Sequence, residues 1–126
     1  GDFAGGLLKY LRKHPIARLT VAGGFAKLTK LAQGAMDLHS SRSRVDMEFL
    51  AGLVPDNQKN RSLEKRILDA NTALEVLELT RQNNIDLPAL VAERACRTAV
   101  RALRGADISV DILVTDREGN ILARHA

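Results

Sequence analysis

With 126 residues, 45% hydrophobic and 27% charged, the chain is long enough to bury one core and too apolar to stay disordered. Aromatics make up 3% and tryptophan is absent, so Leu, Ile, Val and Ala must build that core, a composition poorly suited to stacking on nucleic-acid bases; the single cysteine, Cys96, rules out an internal disulfide framework and a cysteine-based zinc site. The net charge of +4 is uneven: residues 1–44 hold eight Lys or Arg against Asp2 and Asp37, a net of +6, and the remainder is net −2.

Asp2 is placed to cap a first helix, with Phe3, Leu7, Leu8 and Leu11 on one face, Lys9, Arg12 and Lys13 toward its end, and Pro15 stopping it. Alternation over Ala17–Ala22 predicts a short strand that ends at Gly23 and Gly24. A second helix follows with Leu28, Leu31 and Ala32 on its buried face, Lys27 and Lys30 beside it, and Gly34 as its C-terminal stop. From Gly34 to Val45 no period is evident; Asp37, His39, Ser40, Ser41, Arg42 and Ser43 read as a polar loop, with an extended piece conceivable at Met36–His39.

Ser43 with Asp46 resembles a capping box ahead of a short helix through Val45, Phe49, Leu50 and Leu53, which Pro55 ends. Residues 56–61 read as polar linker. From Ser62 a helical pattern runs through Leu63, Ile67, Ala70, Leu74 and Leu77, but Thr72 with Glu75 offers a second start, so one long helix and two short ones both satisfy residues 62–83. Asp86-Leu87-Pro88 opens the next helix, with Leu87, Leu90, Val91, Ala95, Ala99 and Leu103 facing inward, Arg94, Arg97, Arg101 and Arg104 facing water, and Gly105 closing it. Ile108, Val110, Ile112 and Val114 alternate strictly, and Arg117 to Asn120 turns the chain back into Ile121–Ala123, a hairpin.

The order helix, strand, glycines, helix is that of α/β proteins, so the expected fold is α/β or α+β: a small, mainly parallel sheet with packed helices and a C-terminal β-hairpin, forming a single domain over residues 1–126. The chain opens at Gly1 already inside a helical pattern, which predicts a fragment of a longer protein. No apolar run approaches a membrane span and no signal peptide is seen; with one cysteine, the cytoplasm is the expected compartment.

Two segments carry the candidate chemistry. A strand ending in Gly-Gly that feeds a helix lets backbone N–H groups approach an anionic or adenosyl ligand at the positive helix terminus, and Lys27 adds a point charge. The spacing matches neither GxGxxG nor a Walker A loop, and small residues here are equally suited to strand–helix packing. In DLHSSRS, a histidine among hydroxyls with Arg42 can hold carboxylates or move a proton near neutral pH; the same residues can also satisfy a capped loop. A Ser-His-Asp hydrolase lacks its GxSxG elbow, and His14, His39 and His125 are too scattered for a metal site.

GDFAGGLLKYL, AGGFAKLTKLAQG, DLHSSRSRVD and VTDREGNIL together resemble the C-terminal part of the CbiD family, the cobalt-precorrin-5B C1-methyltransferases of cobalamin (vitamin B12) biosynthesis. Ala26 stands where glycine commonly precedes the lysine in that family. The resemblance implies S-adenosylmethionine as cofactor, a cobalt-tetrapyrrole substrate that carries its own metal, and an N-terminal region outside this chain without which the fragment is inactive. One family block falls on Gly23, Gly24, Lys27, Lys30 and Gly34 and the other on His39 and Ser40, while the doubled serine and Arg42 depart from its commoner pattern. On these blocks Gly23, Gly24 and Lys27 are expected to anchor the cofactor, and Lys30, His39, Ser40 and Arg42 to hold substrate carboxylates, with a cofactor role for the second set also open; no residue is assigned to catalysis, His39 being the best candidate. Neither nucleic acid nor membrane is expected as a partner, and self-association is left open. The alternative from another class is a non-catalytic basic module that docks a polyanion or a partner protein.

Overall fold

The computed structural model describes residues 3–34 and 44–126. Among the described residues, six helices accompany a three-stranded sheet: α1 (Phe3–Lys13), β1 (Arg18–Gly24), α2 (Phe25–Ala32), α3 (Met47–Leu53), a 3-10 turn (Asp56–Gln58), α4 (Arg61–Leu68), α5 (Ala73–Gln82), α6 (Leu87–Ala102), β2 (Ser109–Thr115) and β3 (Ile121–His125). The sheet order is β1-β2-β3. β1 and β2 run parallel from Arg18↔Ser109 to Gly24↔Thr115, and β3 returns antiparallel to β2 with a register shift at Val114/Thr115. The sheet thus joins one parallel pair, the longer pairing, to one antiparallel pair, which is the expected C-terminal hairpin.

α6 is the hub. Ala92, Ala95 and Ala99 are fully buried along it, and their small side chains let α2 and the sheet approach its axis. Val91 and Leu87 on α6, Leu28 and Leu31 on α2, and Val110, Ile112 and Val114 on β2 fill the space between. The Thr98 hydroxyl donates to the Ala32 carbonyl at 3.2 Å, which ties α6 to the end of α2. On α1, Leu8 and Leu11 are buried and Arg12 Nε donates to the Ala102 carbonyl at 2.6 Å.

Four helices start at side-chain caps, each worth about 1 kcal/mol. Asp46 accepts from the Glu48 and Phe49 N–H groups, Asn60 from Leu63, Thr72 from Glu75 and Asp86 from Ala89. These caps resolve residues 62–83 into two helices. They also move α3: its cap is Asp46 itself, because an aspartate in extended backbone directly ahead of the helix reaches two N–H groups at once. Val45 lies outside that helix. Asn60 likewise starts α4 one residue before the expected point, and part of the expected linker is the 3-10 turn. Asp2, residues 36–43 of the expected polar loop, with its extended piece at Met36–His39, and Ser43 of the expected capping box lie outside the described residues. Arg94, expected on the wet face, is half-buried with its guanidinium 5.8 Å from the Phe49 ring centroid, a cation–π contact.

Candidate functional site

β1 and β2 are neighbours, parallel and in register, so the chain leaving each strand emerges at the same edge of the sheet. There the start of α2 (Gly24, Phe25, Ala26, Lys27) faces the β2–β3 turn (Thr115, Asp116, Arg117, Glu118), and Leu74 and Leu77 of α5 with Leu122 of β3 wall the crevice between them, about 480 Å3 in volume. The crevice outside the carboxyl ends of parallel strands is where open α/β sheets bind ligands. Leu74 is 47% exposed, an apolar surface left open to the crevice.

Each wall is built by local sequence. Gly24 is the N-terminal cap residue of α2 and offers no side-chain acceptor, so the first N–H groups of that helix lack the cap that α3 to α6 possess. Lys27 is exposed in the first turn. In the turn opposite, the Asp116 carboxylate accepts from the Glu118 N–H at 2.9 Å, the Asn120 N–H at 2.8 Å and the Asn120 side-chain amide at 3.1 Å. The Asn120 side-chain bond foremost, with the backbone donors, holds the Asp116 carboxyl below its ordinary value despite some desolvation. Gly119, at φ +86°, supplies the left-handed step that closes the turn.

The two expected cofactor glycines differ. Both are extended strand residues, paired with Val114 and Thr115, rather than turn residues. A Cβ on Gly23 would lie 2.8 Å from Leu28 Cδ2, so Gly23 is needed for strand–helix packing; a Cβ on Gly24 would meet nothing within 4 Å. Gly24 and Lys27 therefore line the crevice, and Gly23 sits behind it. Lys30 is half-buried one turn further along α2 and does not line it. His39, Ser40 and Arg42 lie outside the described residues. Their flanks are joined by Gln33, whose side chain donates to the Arg44 carbonyl and accepts from the Asp46 N–H. That junction is at the C-terminal end of α2, about 12 Å from the crevice by the rise of an eight-residue helix.

Two features escape sequence reasoning. The crevice wall formed by Arg117 and Glu118 reads in the sequence only as a turn. Asp111 is 4% exposed on the sheet face turned away from the core, where it accepts from the Thr20 hydroxyl at 3.0 Å and pairs with Arg18 at 3.6 Å and Arg124 at 3.5 Å. Cys96 is half-buried; desolvation first, then the Asp111 charge, pushes its thiol up and away from nucleophilic character. Among the described residues no group of three or more His, Cys, Asp and Glu could hold a metal ion, and no helix is long and apolar enough to cross a membrane.

Residues 37–126 match the family described as CbiD, C-terminal domain. Curated relatives named cobalt-precorrin-5B C(1)-methyltransferase from Brucella anthropi, Brucella ovis and Brucella canis are each 62% identical to this chain over 124 residues, 98% of its length. The chain spans about a third, 34%, of the length of these relatives. No solved structure matches it.

Proposed function

The chain belongs to the CbiD family, whose C-terminal domain it matches over residues 37–126, and on that premise we propose that it forms part of the site at which a methyl group passes from S-adenosylmethionine to C1 of cobalt-precorrin-5B in cobalamin biosynthesis. The observation that carries this reading is the crevice. An uncapped helix start and Lys27 on one side, and leucines on the other, suit a small molecule with a carboxylate at one end and a flat aromatic ring, whose faces pack on leucine, at the other. At about 480 Å3 the crevice is within the roughly 300–1,000 Å3 typical of small-molecule sites, and it is too small to enclose a cobalt tetrapyrrole.

S-adenosylmethionine supplies the electrophilic methyl. The protein's part is positional: the missing Cβ at Gly24 admits close approach to the α2 N–H groups, Lys27 Nζ neutralises the ligand carboxylate, and Phe25, Leu74, Leu77 and Leu122 exclude water around the ring. No strong base is required. Lys30, His39, Ser40 and Arg42 are assigned to the acetate and propionate groups of the macrocycle, which suits the net +6 of residues 1–44. The remaining two thirds of the relatives' length is the partner expected to complete the site. We place the enzyme in the cytoplasm.

The test is steady-state methyl transfer by the full-length protein. Lys27→Ala is expected to raise KM for S-adenosylmethionine about tenfold, with thermal stability unchanged because Lys27 is exposed. Wild-type constants for Lys27→Ala would remove the crevice from the cofactor site. Indiscriminate, salt-steep binding of unrelated polyanions in place of S-adenosylmethionine would instead favour a basic docking module.

A further inference from the structure

We propose that Glu118 receives the ribose hydroxyls of the adenosyl ligand in this crevice, an inference that rests on the cofactor reading above. The crevice holds two acidic residues, Asp116 and Glu118, two residues apart in one turn. The structure gives them different work. The Asp116 carboxylate is occupied by the turn itself, accepting from the Glu118 and Asn120 N–H groups and the Asn120 side chain. The Glu118 side chain is exposed and makes no hydrogen bond or ion pair with any described residue. It is thus the carboxylate in the crevice with its acceptor oxygens unused.

Topology explains why an acid at this point meets a ribose. In dinucleotide-binding folds the glycines end one strand, the anionic part of the ligand lies on the following helix terminus, and an acid beyond the end of the adjacent parallel strand takes the ribose hydroxyl. Here Gly24 ends β1, α2 follows, β2 is the adjacent parallel strand in register at Gly24↔Thr115, and Glu118 lies three residues past Thr115. Lys27, at the α2 wall, suits the carboxylate of the ligand's amino-acid end and so draws that end, its ammonium included, toward the helix start; Glu118, on the opposite wall, is then the acceptor for the ribose hydroxyls rather than for the ammonium. A ligand that covers Leu74 and Leu122 also strips water from Glu118, so the carboxylate needs replacement donors, and a vicinal diol has two O–H groups to donate.

The experiment is calorimetric titration of the full-length protein with S-adenosylhomocysteine and with its 2′-deoxyadenosyl analogue, for wild type, Glu118→Ala and Lys27→Ala. Wild type is expected to bind the ribo form about tenfold more tightly than the deoxy form, Glu118→Ala to lose that preference and bind the ribo form about tenfold more weakly, and Lys27→Ala to weaken both ligands equally with the preference intact. A preference that survives in Glu118→Ala, or is absent from wild type, overturns the assignment. If Lys27→Ala weakens binding while Glu118→Ala matches wild type, Glu118 is excluded and the crevice reading stands; if both variants bind as wild type, both fall. Since the turn is held by Asp116 and Asn120, Glu118→Ala is expected to melt at the wild-type temperature.

Discussion

Gly23 and Gly24 look equivalent in the sequence, and their surroundings separate them. Alanine at Gly23 would press on Leu28, which is 1% exposed and cannot move freely, so Gly23→Ala should destabilise by about 1–2 kcal/mol. Gly24→Ala meets open space, so thermal unfolding should be unchanged while affinity for S-adenosylmethionine falls; unchanged affinity would mean that no ligand approaches there. Asp111 makes a different point about single residues. Its carboxylate is buried, whereas the arginines that pair with it keep 63% and 60% of their side chains exposed. Removing the acid frees two arginines to water, whereas removing both arginines strands a buried charge. Asp111→Asn should therefore cost about 1–2 kcal/mol and the double variant Arg18→Gln/Arg124→Gln about 2–4 kcal/mol in chemical denaturation. The opposite order would show that Thr20 alone sustains the carboxylate.

Among the elements, the β2–β3 turn carries a pH signature. The folded-state pKa of Asp116 is lowered from 3.8, so its contribution is present above about pH 4 and is lost as pH falls through the lower, folded value. Protection of the Glu118 and Asn120 amides relative to their intrinsic exchange rates should fall below pH 4 while α6 remains protected; a turn whose protection does not change with pH would mean that Gly119 alone holds it. This turn, the strand at 17–22, the helix over 25–32 and the α6 stripe are legible in the sequence because period, glycine and proline speak locally. The start of α3 is not, since Ser43 and Asp46 are both good caps and only the fold chooses between them. Asp111 is hidden for a related reason. Strict alternation of Ile108, Val110, Ile112 and Val114 assigns it to water, and its partners Arg18 and Arg124 come from the two flanking strands. The candidate site was half legible: Gly24 and Lys27 are marked by local spacing, whereas Glu118 becomes a candidate only once β1 and β2 lie side by side.

For the molecule as a whole, the stretch matched by the family begins at residue 37, but the fold does not divide there. β1 pairs with β2 over seven residues, and α2 packs along α6, so residues 18–32 supply one edge of the sheet and part of the core. A truncation to residues 37–126 would expose Val110, Ile112 and the alanine face of α6, and is expected to show no cooperative thermal transition by circular dichroism, unlike the 126-residue chain. A cooperative melt of the truncated form would make residues 1–36 an appendage. The same packing fixes one wall of the crevice on α2 and the other on the β2–β3 turn and α5, so the proposed methyl-donor site requires both parts of the chain. The most direct test is a crystal structure of the full-length protein with S-adenosylhomocysteine. The ligand is expected between Gly24–Lys27 and residues 115–118, with its ring against Leu74 and Leu122; ligand bound wholly within the rest of the protein, away from these residues, would contradict the account.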